Sequence, residues 1–260
     1  MKRYYRELAA SGEMLTGVIL QLPSEELAEI LAHAGVDVII LDTEHSPTGY
    51  EKLVSLIRAC ETFGALAFVR VPSARDEAAI KRALDAGAGG IMIPNVDTAE
   101  DARRAVEYAK FPPLGRRGAC PFVRANAYGG EDRTDFYAKA NAETAIILLV
   151  ESPEGIRNLP EIVKVEGADM LQIGTVDLAV AMGLPGQTEH PEIMEALHRT
   201  AALCAEHGRH MAWYCGDAVS AAALRETPGV GMLVLPFPEI AIHDYYAALN
   251  RMMKGEQKAP

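Results

Sequence analysis

Four stretches of the sequence place ionisable side chains directly behind apolar runs. Asp42-Thr43-Glu44-His45 follows Val36–Leu41, and Arg70 lies inside Ala65-Leu66-Ala67-Phe68-Val69-Arg70-Val71-Pro72. Glu151 closes Leu148-Leu149-Val150, and Asp177 follows Ile173-Gly174-Thr175-Val176. Glu151 and Asp177 lie about one strand-plus-helix unit apart, so they stand on neighbouring strand ends and could share one ion. Two carboxylates without Cys or His suit a hard cation such as Mg²⁺ or Mn²⁺. Such an ion keeps several waters, which leaves positions for a carboxylate and a carbonyl oxygen. The same two residues have a plainer use: Glu151 as cap of the next helix, Asp177 as cap of the Leu178–Met182 turn. A guanidinium in an apolar strand must find an anion. For Arg70 that is either an ion pair with Asp42 or Glu44, or a fork for a bound carboxylate or developing enolate. His45 is a loop histidine. Beside a metal site it becomes a candidate base acting through a metal-bound water, with Asp42 three residues earlier to orient the imidazole.

The elements that must position these groups follow one alternation. Strand-like runs at Thr16–Leu22, Val36–Leu41, Ala65–Val71, Gly90–Pro94, Thr144–Glu151, Met170–Gly174, His210–Cys215 and Met232–Leu235 are separated by segments of helical periodicity. The strands are continuously apolar, as strands buried on both faces should be. Eight βα units in this length predict an α/β fold, a single (β/α)8 TIM barrel over residues 1–260 with an extended C-terminal helix from Ile240. A doubly wound sheet is the other possibility, and it has no reason to stop at eight. The rhythm breaks only at 111–141, where Pro112-Pro113, Gly115, Gly118 and Gly129-Gly130 mark an irregular insertion. In a barrel, chemistry belongs at the C-terminal strand ends, where the four stretches fall.

Composition narrows the function classes. The chain has 260 residues, 49% hydrophobic and 23% charged, with a net charge of −11 that argues against nucleic acid or an anionic membrane. No apolar run is long enough to span a membrane, and no apolar stretch of a secretory signal follows Met1–Arg6. Cys60, Cys120, Cys204 and Cys215 are too widely spaced for a disulfide framework or zinc ribbon, which points to the cytoplasm. No Lys falls at a strand end, against a Schiff-base mechanism. No Gly-rich loop follows strands seven and eight, against a phosphorylated substrate.

These residues resemble the metal-dependent class II pyruvate aldolases of the 4-hydroxy-2-oxoheptanedioate aldolase family, relatives of the citrate lyase β subunit. The resemblance rests on Leu41-Asp42-Thr43-Glu44-His45-Ser46-Pro47, Val69-Arg70-Val71-Pro72, Leu84-Asp85-Ala86-Gly87, Ile93-Pro94-Asn95-Val96, Pro112-Pro113-Leu114-Gly115-Arg116-Arg117-Gly118, Val150-Glu151-Ser152 and Ile173-Gly174-Thr175-Val176-Asp177-Leu178. It runs from about residue 14 to the last helix. It implies reversible aldol cleavage of a 4-hydroxy-2-oxo acid to pyruvate and an aldehyde through a pyruvate enolate. Glu151 and Asp177 would hold Mg²⁺, Mn²⁺ or Co²⁺, Arg70 would stabilise the enolate, and His45 with Asp42 would be the acid/base. Gly174, Thr175 and Val176 would bind the substrate. The family is typically a hexamer, a trimer of dimers with exchanged C-terminal helices. An acidic residue matching Asp85 and the loop matching Pro112–Arg124 approach the neighbouring subunit's site, so the insertion is expected to be a subunit contact.

Departures from the family pattern concern the surroundings. The family's Gln two residues before the metal Glu is Leu149 here, inward-facing by strand parity. Gly-Pro-Ala-Asp-Leu-Ser becomes Gly174-Thr175-Val176-Asp177-Leu178-Ala179, and strand one lacks a Trp. Trp213 or Tyr214 on strand seven is the candidate lining of the acceptor pocket, with Trp213 taken as the substrate contact and packing against helices as its other use. Decarboxylation of a 2-oxo diacid such as oxaloacetate, or binding of a 2-oxo acid without turnover, are the alternative functions.

Overall fold

The computed structural model describes residues 4–255. Eight strands, β1 (Leu15–Leu20), β2 (Val38–Asp42), β3 (Leu66–Arg70), β4 (Gly90–Ile93), β5 (Ala145–Val150), β6 (Met170–Ile173), β7 (His210–Tyr214) and β8 (Val230–Val234), close into a barrel. Each pairs in parallel with the next, and β8 returns to β1. All eight expected strands are present, within two residues at each end. Every residue of β2, β3, β4, β5 and β6 is buried, the physical reason the runs read as continuously apolar.

The strands divide the core in two. Ile40, Phe68, Met92, Ile147, Leu149, Met170, Ala212 and Met232 fill the barrel interior. Ile39, Val69, Ile91, Leu148, Leu171 and Trp213 pack outward against the helices. Those helices are α2 (Glu25–His33), α3 (Tyr50–Thr62), α4 (Glu77–Asp85), α5 (Ala99–Ala109), α7 (Pro153–Ile162), α8 (Thr175–Ala181), α9 (Pro191–Glu206), α10 (Ala218–Arg225) and α11 (Pro238–Met253). Five of these helices start at short polar side chains in the loops that follow the strands. Ser24, Asp76, Ser152 and Asp217 each accept a first-turn N–H, and Thr98 forms a reciprocal capping box with Asp101. Strand ends and helix starts thus meet at one mouth.

The other end is closed. The first helix, α1 (Tyr5–Ala10), inserts Tyr5, whose hydroxyl meets His210 Nδ1 at 2.8 Å and whose ring sits edge-on to Phe68. Lys110 is buried there and donates to the carbonyls of Asn141 and Thr144 at 2.9 and 2.5 Å. Burial lowers its pKa to about 8, yet its place at the closed end removes it from the chemistry of the mouth.

The 111–141 insertion is more regular than its Gly and Pro content suggests. It holds a 3₁₀ turn, Arg124–Gly129, and most of α6 (Arg133–Glu143). Asp132 caps α6 by accepting from the Thr134 and Asp135 N–H groups. The helix buries Phe136 but has no periodic apolar stripe, so periodicity did not mark it. The C-terminal helix α11 buries only Pro238. Its start is tied down by Glu239, whose Oε1 accepts from the N–H groups of Gln21 and Leu22 at 3.0 and 2.6 Å.

Candidate active site

Glu151, immediately after β5, is 8% exposed. Its Oε1 accepts the Asn95 N–H at 2.8 Å, and Asn95 can turn that N–H inward because it holds φ 55°, a left-handed conformation asparagine tolerates. On the other side the carboxylate lies against Gly174. A Cβ there would stand 2.5 Å from Glu151 Oε2, so only glycine admits the carboxylate. Burial raises the Glu151 pKa to about 7 against the Asn95 hydrogen bond, and the charges of Asp177 and Glu44 add to the rise.

Arg70, at the end of β3, forks onto Asp42 at the end of β2. Nε donates to Oδ1 at 2.9 Å and Nη2 to Oδ2 at 2.6 Å. Glu44 Oε2 lies 3.5 Å from Nε. Both anions left open by the sequence are therefore partners. The fork uses two of the five guanidinium N–H groups and leaves three for a ligand. Burial alone would raise the Asp42 pKa, but the Arg70 hydrogen bonds and charge hold it below the usual value. Burial and neighbouring carboxylates raise that of Glu44, opposed by Arg70 and His45.

Asp42 does not orient the His45 ring. Its Oδ1 accepts the backbone N–H groups of Glu44 and His45 at 2.9 and 3.4 Å, and Gln21 Nε2 donates to its Oδ2 at 3.3 Å. The His45 imidazole, more than half exposed, faces Glu44 instead, with Nε2 3.7 Å from Oε2. Asp42 is spent on Arg70 and the loop backbone because the fork is the stronger pairing. Glu44 is the carboxylate beside the imidazole.

Three other expectations change. Gly174 donates its N–H to Val150 O at 3.0 Å, so it contributes space rather than a substrate hydrogen bond. Thr175 and Val176 open α8, where first-turn N–H groups have no partner within the helix. Trp213 packs outward with its ring 5.1 Å from His198 on α9, so it does not line the mouth. Tyr214, half-exposed and with the inward parity of Ala212, holds that place. Asp85 ends α4 at the closed end of the barrel, bound by Arg117 Nη2 at 2.7 Å, and does not join the mouth of its own chain. Leu149 does point inward, as parity requires. Glu44 beside His45 and Asn95 beside Glu151 were not singled out for the site by the sequence, which offered Glu44 only as an Arg70 partner.

The donor set fits a divalent cation. Glu151 Oε2 accepts no hydrogen bond from the described residues, and Glu151, Asp177 and Glu44 repel one another electrostatically. Arg70, the cation among them, is already forked by Asp42. Among the described residues no three His, Cys, Asp or Glu side chains stand together as a metal site, so a cation here would have at most two carboxylate ligands, with Glu151 and Asp177 the candidates.

The pattern has close counterparts. The HpcH/HpaI aldolase/citrate lyase family model matches residues 15–223. The chain belongs to this family. It is an aldolase-class enzyme, a carbon–carbon lyase. The hydroxypyruvate/pyruvate aldolase of Sagittula stellata is 36% identical over 196 residues, 75% of this chain and 76% of that one. The 4-hydroxy-2-oxo-heptane-1,7-dioate aldolase of Escherichia coli is 33% identical over 209 residues, 80% of this chain and 79% of that one. A solved HpcH/HpaI aldolase/citrate lyase family protein from Burkholderia cenocepacia J2315 superposes with TM-score 0.87 at 34% identity, covering 95% of this aldolase and 98% of that chain. The mouth described above is this aldolase's candidate active site.

Proposed function

We propose that the aldolase cleaves a 4-hydroxy-2-oxo acid to an aldehyde and pyruvate or a close 2-oxo acid, with a divalent cation held by Glu151 and Asp177. The observation that carries this reading is the unbalanced negative charge at Glu151, Asp177 and Glu44 beside the Arg70–Asp42 fork. Glu151 and Asp177 would hold Mg²⁺ or Mn²⁺, which when bound would supply Lewis-acid stabilisation of the enolate. Thr175 and Val176 N–H groups receive the carboxylate at the start of α8. Arg70 keeps its three uncommitted N–H groups for the oxygen on C2, where charge develops. Asp42 fixes the plane of that guanidinium.

His45 moves the proton. It takes the proton of the C4 hydroxyl, the O–H electrons form the aldehyde carbonyl, and the C3–C4 bond electrons pass into the enolate. Return of a proton to C3 gives the 2-oxo acid. Glu44 Oε2, 3.7 Å from the imidazole Nε2, is the carboxylate that stands beside it.

The chain acts as a homo-oligomer, a hexamer built as a trimer of dimers. Support comes from α11, which exposes Ile242, Tyr245, Tyr246, Leu249, Met252 and Met253 at helical spacing. Asp85 and the 111–141 segment serve the neighbouring subunit's mouth, since both lie away from their own. Small molecules are its partners, without nucleic acid or membrane. The four unpaired cysteines support a reducing compartment, the cytoplasm; among the described residues no helix is long and apolar enough to cross a bilayer.

The test is pyruvate release from a 4-hydroxy-2-oxo acid with Mg²⁺ or Mn²⁺. Glu151→Ala and Asp177→Ala are expected to lose cation binding and turnover together. Turnover that survives either change rejects the site.

A further inference from the structure

Gln172 is the polar exception in the barrel interior. Its register partners on the neighbouring strands are Leu149 and Ala212, both in the interior cluster, as is Met170 two residues before it. Residues in register across parallel strands, or two apart along one, share a face. Gln172 therefore points into the barrel. It is 8% exposed, and its Oε1 is fully buried with no hydrogen-bond partner. The next inward position on its strand is Gly174, against which the Glu151 carboxylate lies. The carboxamide thus sits in the floor of the site, one inward position below the carboxylate that would hold the cation.

An unpaired amide atom in apolar surroundings costs stability, and a hydrophobic residue of the same size would avoid that cost. A ligand group that satisfies the amide gives it a use. The carboxylate and keto oxygens of a 2-oxo acid are acceptors only, and the cation, the α8 N–H groups and Arg70 already serve them. A methyl group on C3 offers nothing. A hydroxyl on C3 both donates and accepts, so it pairs with a carboxamide in either orientation.

We propose that Gln172 is a donor-specificity residue that pairs with a hydroxyl on C3 of the 2-oxo acid, so that the enzyme favours 3-hydroxypyruvate over pyruvate as the enolate donor. The proposal rests on the enolate reading above and adds to it the residue that chooses the donor. Leu149 on β5 cannot supply this hydrogen bond, and its register partner on β6 does.

Exchange of C3 protons with D₂O, followed by NMR for pyruvate and for 3-hydroxypyruvate with saturating Mg²⁺, reads the choice in wild type, Gln172→Met and Gln172→Leu. Calorimetric Kd values for both acids accompany it, with the thermal midpoint of the metal-free protein as a readout independent of turnover. Both variants are expected to lose 3-hydroxypyruvate exchange and affinity by about tenfold to a hundredfold more than they lose pyruvate. Their thermal midpoints are expected to equal or exceed that of wild type, because the unpaired amide is gone. An unchanged donor ratio, or an equal fall for both acids, overturns the role of Gln172 and leaves the enolate chemistry standing. Failure of wild type to exchange either acid overturns the enolate reading and this proposal with it.

Discussion

Glu151 should make cation binding a proton-release reaction. Its carboxyl ordinarily titrates near 4.5 and is pushed up to about 7 by burial and by the Asp177 and Glu44 charges. The shift corresponds to about 3 kcal/mol at about 1.4 kcal/mol per pKa unit, carried by a group that is 8% exposed. Its sign is the reverse of a salt-bridged carboxylate. The stabilising contribution in the metal-free protein is fully present below 4.5 and is lost as pH rises through about 7. A cation needs the ionised form. Its affinity should therefore rise about fifteenfold between pH 5.5 and 7 and level off above about pH 8. At pH 6 binding should release about 0.9 proton, and at pH 8 about 0.1. Calorimetric titration of Mn²⁺ into the metal-free enzyme, in buffers of different ionisation heat, measures both quantities. Affinity flat across that range, with no proton released at pH 6, would refute the reasoning.

Other perturbations separate the parts of the mouth. Arg70→Met removes the cation and leaves the buried Asp42 carboxylate with only the Glu44, His45 and Gln21 donors, so unfolding in urea should show a loss of about 3 kcal/mol while enolate formation falls below detection. Gly174→Ala places a methyl on Glu151 Oε2 and should weaken Mn²⁺ binding by tenfold or more in a folded protein, as circular dichroism and calorimetry can show. Trp213→Phe should lower the melting temperature without changing the range of aldehydes accepted, since Trp213 packs on His198; a changed acceptor profile in steady-state kinetics would return it to the mouth.

The barrel was legible because parallel strands buried on both faces leave uninterrupted apolar runs, and the mouth was legible because ionisable residues follow those runs without a break. Side-chain partners were not. Asp42 and Arg70 come from strands in register, and sequence alone left Arg70 divided between Asp42, Glu44 and a ligand. In β7 the run His210-Met211-Ala212-Trp213-Tyr214 has no alternation of polar and apolar residues, so nothing local says which aromatic faces inward; the interior place of Ala212 decides for Tyr214. Asn95 acts through a backbone N–H that only its left-handed conformation turns toward Glu151. Gln172 had a usable signal: the parity that points Leu149 inward, carried across one strand pair, points Gln172 inward too.

Exchange of the pyruvate methyl protons in D₂O, followed by proton NMR, tests the enolate chemistry most directly, because it needs no aldehyde acceptor. Exchange that requires Mg²⁺ or Mn²⁺, stops with chelator and is absent from Glu151→Gln is the expected result. A wild-type enzyme with the cation bound and no exchange would contradict the proposed chemistry of the mouth.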